Sequence, residues 1–175
     1  MRTLLAVFIP ALLALSPLPA GQLDVAVIQF PEEKTPEELN AAFSGQSLAE
    51  ITNSNRTMTK EAYLKGGYVL FTQSLPVGRG TGFKSSTRIK DARADVDGWL
   101  GGGDLDVTIT LMEGVEAGLR SFQKTNYRGR GPLATGSPRV LSMKQVKGKA
   151  PSVVKGKTKI DRYMYTTVVV AQYTP

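Results

Sequence analysis

The stretch Tyr163–Tyr173 reads YMYTTVVVAQY and predicts a central strand of a β-sheet. Residues 167–171 are apolar on both faces of an extended chain, because successive side chains of a strand point to opposite sides. Strands of this kind are buried on both faces, so we expect this one to lie centrally in a sheet. The same segment has no charge and no proline, and as an edge strand it could instead pair with a second subunit.

Other stretches predict the neighbouring strands. Residues 105–111 alternate between apolar and polar side chains, and a three-residue loop at 112–114 would set Leu111 opposite Val115 in a hairpin. The remaining candidate strands are residues 24–30, 67–72, 83–96 and 140–146. Residues 99–103, which contain three consecutive glycines, are interpreted as a flexible connection.

A helix is predicted to begin after Thr35. Thr35 can cap the helix, Pro36 suits its first position, and Glu38 stands where a capping box requires an acid. Gly45 ends this helix, and residues 47–50 repeat the capping pattern for a second short one. The chain is therefore predicted to have an α+β fold, with an antiparallel sheet of about six strands and one or two short N-terminal helices packed on one face.

The N-terminus has the pattern of a cleavable export signal. One cation, Arg2, precedes an apolar run, and a helix-breaking stretch then leads to Ala20, after which we place the cleavage. Residues 21–175 are expected to form a single α+β domain with basic loops at 126–138 and 147–159, and no transmembrane segment after removal of the signal. The chain has no cysteine, so its stability must come from packing, which fits a periplasmic or secreted bacterial-type protein.

Charge is distributed unevenly along the sequence. Residues 21–119 contain 9 Lys or Arg and 14 Asp or Glu, whereas residues 120–175 contain 12 Lys or Arg and one acid, Asp161. Such asymmetry indicates either an anionic partner or pairing between the two halves of the chain.

Absent residue types exclude several chemistries. The chain has no His and no Cys, so it cannot form Ser-His or Cys-His nucleophile pairs, nor zinc or copper sites with imidazole or thiolate ligands. We predict no cofactor. The glycine-rich residues 78–83 lack the ending of a phosphate-binding loop and are interpreted as a β-turn.

Aspartates near Gly98 resemble part of a calcium-binding loop, because hard cations prefer carboxylate oxygens. The candidate ligands are Asp95, Asp97 and Asp104, but Arg93 occupies the position of the first ligand. Solvated aspartates at two strand ends are therefore the favoured interpretation. A glycosidase would need two carboxylates across a sugar cleft, for which Asp95, Asp104 and Glu116 are unspecific candidates.

The basic C-terminal third carries the main functional prediction. The candidate anion- or partner-binding residues are Arg128, Arg130, Lys147, Lys149, Lys155 and Lys157. Each anionic group that such cations neutralise releases a counterion, which favours binding to polyanions.

We predict an exported, non-enzymatic binding or envelope-assembly module for an anionic glycan, a lipid headgroup or a protein partner. Nucleic acid is disfavoured, because Tyr127 is the one aromatic among the basic residues 127–159. The alternative is a carboxylate-dependent hydrolase of envelope or extracellular glycan. Solvated loops that only aid solubility are a further interpretation.

Overall fold

The computed structural model describes residues 20–30, 32–54, 68–89, 92–113, 123–154 and 157–175. Residues 1–19, which hold nearly all of the predicted export signal, lie outside these ranges. In chain order the described elements are β1 (Gly21–Phe30), α1 (Pro36–Phe43), α2 (Leu48–Ser54), β2 (Tyr68–Val77), β3 (Thr81–Ile89), β4 (Ala92–Gly101), β5 (Asp104–Glu113), β6 (Gln123–Pro132), β7 (Arg139–Val154) and β8 (Lys157–Thr174).

The strands form two four-stranded antiparallel sheets. One sheet has the order β2-β1-β8-β7 and is called the covered sheet below, and the other has the order β3-β4-β5-β6 and is called the open sheet. The prediction of a mainly antiparallel fold with two short helices is confirmed. The prediction of about six strands in one sheet is wrong, because the described residues contain eight strands in two sheets.

Two hydrophobic clusters hold three layers together. Between the sheets, side chains of β1, β2 and β8 pack against Val96, Val107 and Ile109 of the open sheet. On the other side of the covered sheet, Leu39 and Leu48 of the helices pack against β1 and β8. Burial of these apolar surfaces is the main contribution to stability in a chain without disulfides.

Strand β8 occupies the predicted central position. It pairs with β1 on one side and with β7 on the other. Val168 and Val170 are buried beneath the helices, whereas Val169 and Ala171 face the open sheet. The run of apolar residues is therefore explained by a strand with a packed layer on each face.

The helix boundaries follow the predicted local signals. The Thr35 hydroxyl accepts a hydrogen bond from the Glu38 N–H (3.2 Å), and the Glu38 carboxylate accepts one from the Thr35 N–H (2.8 Å). Gly45 has a φ of +74°, which suits glycine at the end of a helix. Ser47 and Glu50 form the same reciprocal pair at the start of α2. The capping predictions are thus confirmed.

The open sheet contains more turns than the sequence predicted. Residues 83–96, predicted as one strand, belong to β3 and β4, which pair with each other from Thr81–Leu100 to Ile89–Ala92. The supposed flexible connection after β4 is a two-residue turn, with φ values of +62° and +88° at Gly102 and Gly103. Two consecutive positive φ angles match the right-handed twist of a tight hairpin.

The predicted hairpin partner of β5 is also wrong. Leu111 pairs with Thr125 of β6, and Val115 lies outside the described residues. The actual register sets Ile109 opposite Tyr127 on the inner face. The sequence of β6 does not indicate this register, because its glycine-rich composition is typical of a loop and lacks the alternation of apolar and polar residues that predicts a strand.

The two predicted basic loops are mostly strands. Residues 126–132 belong to β6, and residues 147–154 and 157–159 belong to the ends of β7 and β8 that pair with each other. Gly129 is used for close packing between the sheets, since a Cβ there would lie 2.8 Å from Leu141 Cβ and 3.0 Å from Val169 Cγ1. The glycine that suggested a loop therefore allows a strand to approach its neighbour.

Strands β7 and β8 extend beyond the rest of the covered sheet. The last pair between β1 and β8 is Phe30–Thr166, whereas pairs between β7 and β8 continue to Val154–Lys157. Among the described helices, none combines the length and apolarity needed to cross a membrane.

Candidate functional site

The basic segment of the sequence forms two edge strands on one side of the sandwich. Strand β6 is the edge of the open sheet and β7 is the edge of the covered sheet, and they meet where Gly129 approaches Leu141. Residues 123–154 carry seven cations and no acid. These cations are Lys124, Arg128, Arg130, Arg139, Lys144, Lys147 and Lys149. We call the strands β6 and β7 together the basic edge.

Arg128 is held by an aspartate of the neighbouring strand. Its Nε donates to Asp106 Oδ1 (3.2 Å) and its Nη2 donates to Asp106 Oδ2 (2.8 Å). These hydrogen bonds from Arg128 lower the pKa of the Asp106 carboxyl, and the same bonds raise the pKa of Arg128. An arginine that donates both bonds to one carboxylate has a fixed orientation. Arg128 is thus one predicted binding residue whose charge is largely compensated within the protein.

Three other cations of the basic edge form no ion pair within the described residues, although Arg130 lies directly opposite Asp106 and adds to the effect of Arg128 in lowering the pKa of that carboxyl. Within the described part of the chain, no carboxylate oxygen lies within 4.0 Å of a side-chain nitrogen of Arg130, Lys144 or Lys147. All three side chains are exposed. Positive charge at these positions is therefore available to an external anion.

The described candidates Arg128, Arg130 and Lys147 lie on the two edge strands of one side of the sandwich but not on one sheet face. Arg128 and Arg130 lie on the outer face of β6, whereas Lys147 lies opposite Met164 on β7 in the other sheet. In the backbone register Lys149 pairs with Arg162, and Lys157 pairs with Val154 at the far end of the hairpin. The side chains of Lys149 and Lys157, and the whole of Lys155, lie outside the described residues.

Arg139 lines a polar cleft at the start of β7. The cleft has a volume of about 440 Å³ and lies between the end of α1 and residues 136–139. The other lining residues are uncharged and include the polar Asn40, Ser44 and Gln46 and the apolar Phe43. This cleft extends the basic edge towards the helices.

The outer face of the open sheet is a regular array of polar side chains. One row across the four strands contains Gly82, Trp99, Asp106 and Arg130, and the next row contains Lys84, Asp97, Thr108 and Arg128. Directly opposed residues of antiparallel strands share a face, with Cβ atoms about 4.5–5.5 Å apart. Each acid of this array therefore has cations within reach on the same or a neighbouring strand.

The candidate calcium ligands are not brought together. Asp97 lies opposite Thr108, four residues along β5 from Asp104, which corresponds to about 13 Å. Asp95 accepts a hydrogen bond from Arg93 Nε (2.8 Å), and bonds from Ser86 and Arg93 lower its pKa. No group of three possible metal ligands occurs in the described ranges. Asp95 thus pairs with neighbouring side chains, and the three aspartates do not form a shared cation site within the described structure.

The carboxylate pair needed for glycan hydrolysis is also not assembled by Asp95 and Asp104. Asp95 lies opposite Thr110, six residues along β5 from Asp104, a separation of about 20 Å. Glycosidase carboxylates lie about 5–10 Å apart, and the proton donor needs a raised pKa. The pKa of Asp95 is lowered. Glu116, the third candidate, lies outside the described residues.

Sequence reasoning missed Trp99 as a surface residue. Its side chain is 50% exposed, and it is the large hydrophobic residue that stands out on the surface of the described chain. The available signal was its position between Asp97 and Gly101, in a strand whose alternate residues Val96 and Leu100 are apolar. That alternation assigns Trp99 to the same face as the aspartates.

Comparisons with known proteins add no functional information. No protein-family model, no curated protein and no solved structure matches this chain.

Proposed function

We propose that this chain is an exported, non-enzymatic binding module whose basic edge binds a polyanionic partner. The observation that carries the proposal is the meeting of β6 and β7, two edge strands with seven cations and no acid between them. Arg130, Lys144 and Lys147 are the described residues that we assign to binding, and Lys149, Lys155 and Lys157 extend the set by sequence.

The physical basis of binding is the accumulation of uncompensated charge. Each phosphate, sulfate or carboxylate group that pairs with one of these side chains releases a condensed counterion. At physiological salt, charges within about 8 Å of one another also act together, because the screening length is of that order. A partner with repeated anionic groups is therefore favoured over one with a single charge.

Some acids of the first half of the chain lie on β5 beside β6, and others lie in the helix layer. Asp106 compensates Arg128, but five of the acids lie in or beside the helix layer, at Glu32, Glu33, Glu37, Glu38 and Glu50. Lys34 pairs with Glu32 in that layer. Within the described residues, the helix layer therefore carries mainly acids, whereas β6 and β7 carry cations and no acid.

The basic edge can be tested by the salt dependence of heparin binding. The triple variant Arg130→Gln, Lys144→Gln, Lys147→Gln removes three cations from the basic edge. A matched control, Lys34→Gln, Lys84→Gln, Arg88→Gln, removes three cations from the helix layer and from β3. Both variants have the same net charge, so a difference between them reports the location of binding.

We expect the basic-edge variant to elute from heparin at lower salt. The magnitude of the slope of log K against log salt should decrease by about two to three, because each of the three lost contacts contributes roughly 0.7–0.9. The control should keep a slope near that of the unaltered protein. Equal effects of the two variants would reject the basic edge as a binding surface.

Exposed cations also protect edge strands from pairing with other chains. If protection were their sole role, the basic-edge variant would self-associate and its slope would be unchanged.

Export is a separate part of the proposal and has its own test. Expression with the natural N-terminus should give a mature protein whose first residues are Gly-Gln-Leu, because cleavage is proposed after Ala20. N-terminal sequencing of the extracytoplasmic fraction measures this directly. Full-length protein confined to the cytoplasm would contradict it.

A further inference from the structure

The exposed indole of Trp99 lies in a polar sheet face on β4, two strands from β6 of the basic edge. Its row across the open sheet reads Gly82, Trp99, Asp106 and Arg130. Trp99 is half exposed on the outer face of this sheet, so its ring is accessible to a ligand. The neighbouring residues show which ligand such a ring could take.

One face of the indole lies against the backbone of its own strand, and about half of the side chain is exposed to solvent. A Cβ built on Gly101 would overlap three atoms of the six-membered ring of Trp99 at once, which places the ring over the backbone of Gly101. On the neighbouring strand the directly opposed residue is Gly82, which has no side chain to cover the ring. Trp99 therefore presents a flat aromatic surface that its own protein leaves accessible.

Asp106 supplies hydrogen-bond acceptors beside this ring. It lies directly opposite Trp99, so their Cβ atoms are about 4.5–5.5 Å apart. A carboxylate has about four lone-pair sites, and Arg128 occupies one on each oxygen. The remaining sites accept hydrogen bonds, and hydroxyl groups are donors that match them. The Arg128 bonds also fix the carboxylate in one orientation.

Arg130 adds an exposed cation at the end of the same row, directly opposite Asp106. Two strand spacings separate it from Trp99, which is about 10 Å between backbones. The guanidinium can donate two hydrogen bonds to one carboxylate or sulfate group. The row thus combines a ring for stacking, a carboxylate for hydroxyl groups and a cation for an anionic substituent.

We propose that Trp99, Asp106 and Arg130 form a binding site for an acidic glycan, in which one sugar ring stacks on Trp99 and the carboxylate of a uronic acid binds Arg130. This proposal rests on the proposed function, because Arg130 belongs to the basic edge. One isolated ring surrounded by polar groups matches a sugar ring, whereas a protein interface requires a contiguous apolar core. Single-stranded nucleic acid would require successive aromatic platforms, whereas Trp99 is a single ring on the described outer face.

Intrinsic fluorescence gives a direct test, because Trp99 is the one tryptophan of the chain. The probes are oligogalacturonate, which has sugar rings and carboxylates, inorganic polyphosphate, which has charge without rings, and oligo-dT. Oligogalacturonate should change the emission maximum or intensity of Trp99 in a saturable way. Polyphosphate should bind the basic edge and leave the emission of Trp99 nearly unchanged.

Variants separate this site from the basic edge as a whole. Trp99→Ala should weaken oligogalacturonate binding about tenfold, as expected for loss of one stacked ring, and should leave polyphosphate binding unchanged. Trp99→Phe keeps an aromatic ring and should restore most of the affinity, as measured by calorimetry. Gly101→Ala should displace the indole and weaken oligogalacturonate binding without removing a charge.

The outcomes distinguish the two proposals. Equal oligogalacturonate affinity in Trp99→Ala and the unaltered protein would overturn the glycan site, while polyphosphate binding would still support the basic edge. Absence of binding to both polyanions would overturn both proposals. A saturable change of Trp99 emission with oligo-dT, and none with oligogalacturonate, would replace the glycan with single-stranded nucleic acid as the ligand.

Discussion

Substitution of Gly129 by alanine tests the contact that brings the two basic edge strands together. The added Cβ would lie 2.8 Å from Leu141 Cβ and 3.0 Å from Val169 Cγ1. Carbon atoms in favourable contact are about 3.5–4.0 Å apart, so β6 or β7 must move by several tenths of an ångström. Overpacking of this kind typically costs about 1–3 kcal/mol.

The net effect includes the unfolded chain. Replacing glycine by alanine reduces the entropy of the unfolded state and returns about 0.4–1 kcal/mol. We therefore expect Gly129→Ala to lower the free energy of unfolding by about 1–2 kcal/mol. For a domain of this size, that loss corresponds to a decrease in Tm of roughly 2–8 °C.

Gly131 supplies a matched control on the same strand and face. A Cβ there would have Leu141 Cδ2 at 3.8 Å as its nearest neighbour, which is an ordinary contact. Gly131→Ala should therefore be neutral or stabilise the protein by up to about 1 kcal/mol. Urea denaturation of the two variants measures the difference. Equal stabilities would refute the close approach of β6 to β7 on which the basic edge depends.

Three further predictions concern the cap, the core and pH. Thr35→Ala removes the hydroxyl that accepts from the Glu38 N–H and should cost about 1 kcal/mol in urea denaturation. Ile109→Ala removes a fully buried side chain and should cost about 2–5 kcal/mol, and a cost below 1 kcal/mol would contradict its burial between the sheets. Because the pKa of Asp106 is lowered in the folded state, its ionised form stabilises the fold above the ordinary value of 3.8, and this contribution is lost as pH falls through the lowered pKa. The stability difference between the unaltered protein and Asp106→Asn should therefore be constant above about pH 5 and should decrease below pH 4. A difference that stays constant down to pH 2 would contradict the pairing of Asp106 with Arg128.

Local signals in the sequence predicted the parts of the fold that depend on neighbouring residues. Thr35 and Glu38 form the expected capping box, because its hydrogen bonds join residues three positions apart. The apolar run at Val168–Val170 correctly indicated a strand buried on both faces, since its composition directly reflects its surroundings.

Long-range packing determined the parts that could not be predicted. Leu111 pairs with Thr125, which lies beyond the local stretch in which a hairpin was sought. Gly129 resembles a loop residue in the sequence, and only the packing of Leu141 and Val169 against it explains a glycine in a strand. The number of strands and their division into two sheets follow from such contacts.

The candidate site was predicted in composition but not in arrangement. The concentration of cations after Arg120 is visible in the sequence, whereas the pairing of Arg128 with Asp106 depends on the register between β5 and β6. Trp99 was not identified, because a single aromatic residue beside glycines gives no local indication of which face it occupies until the strand boundaries are known.

Mapping of backbone amide chemical shifts during titration with polyphosphate tests the central claim most directly. The largest shifts should fall along β6 and β7, around Arg130, Lys144 and Lys147, and should diminish as salt is raised. Shifts concentrated on the helices or on β2 and β3, or no saturable shifts at low salt, would contradict the assignment of binding to the basic edge.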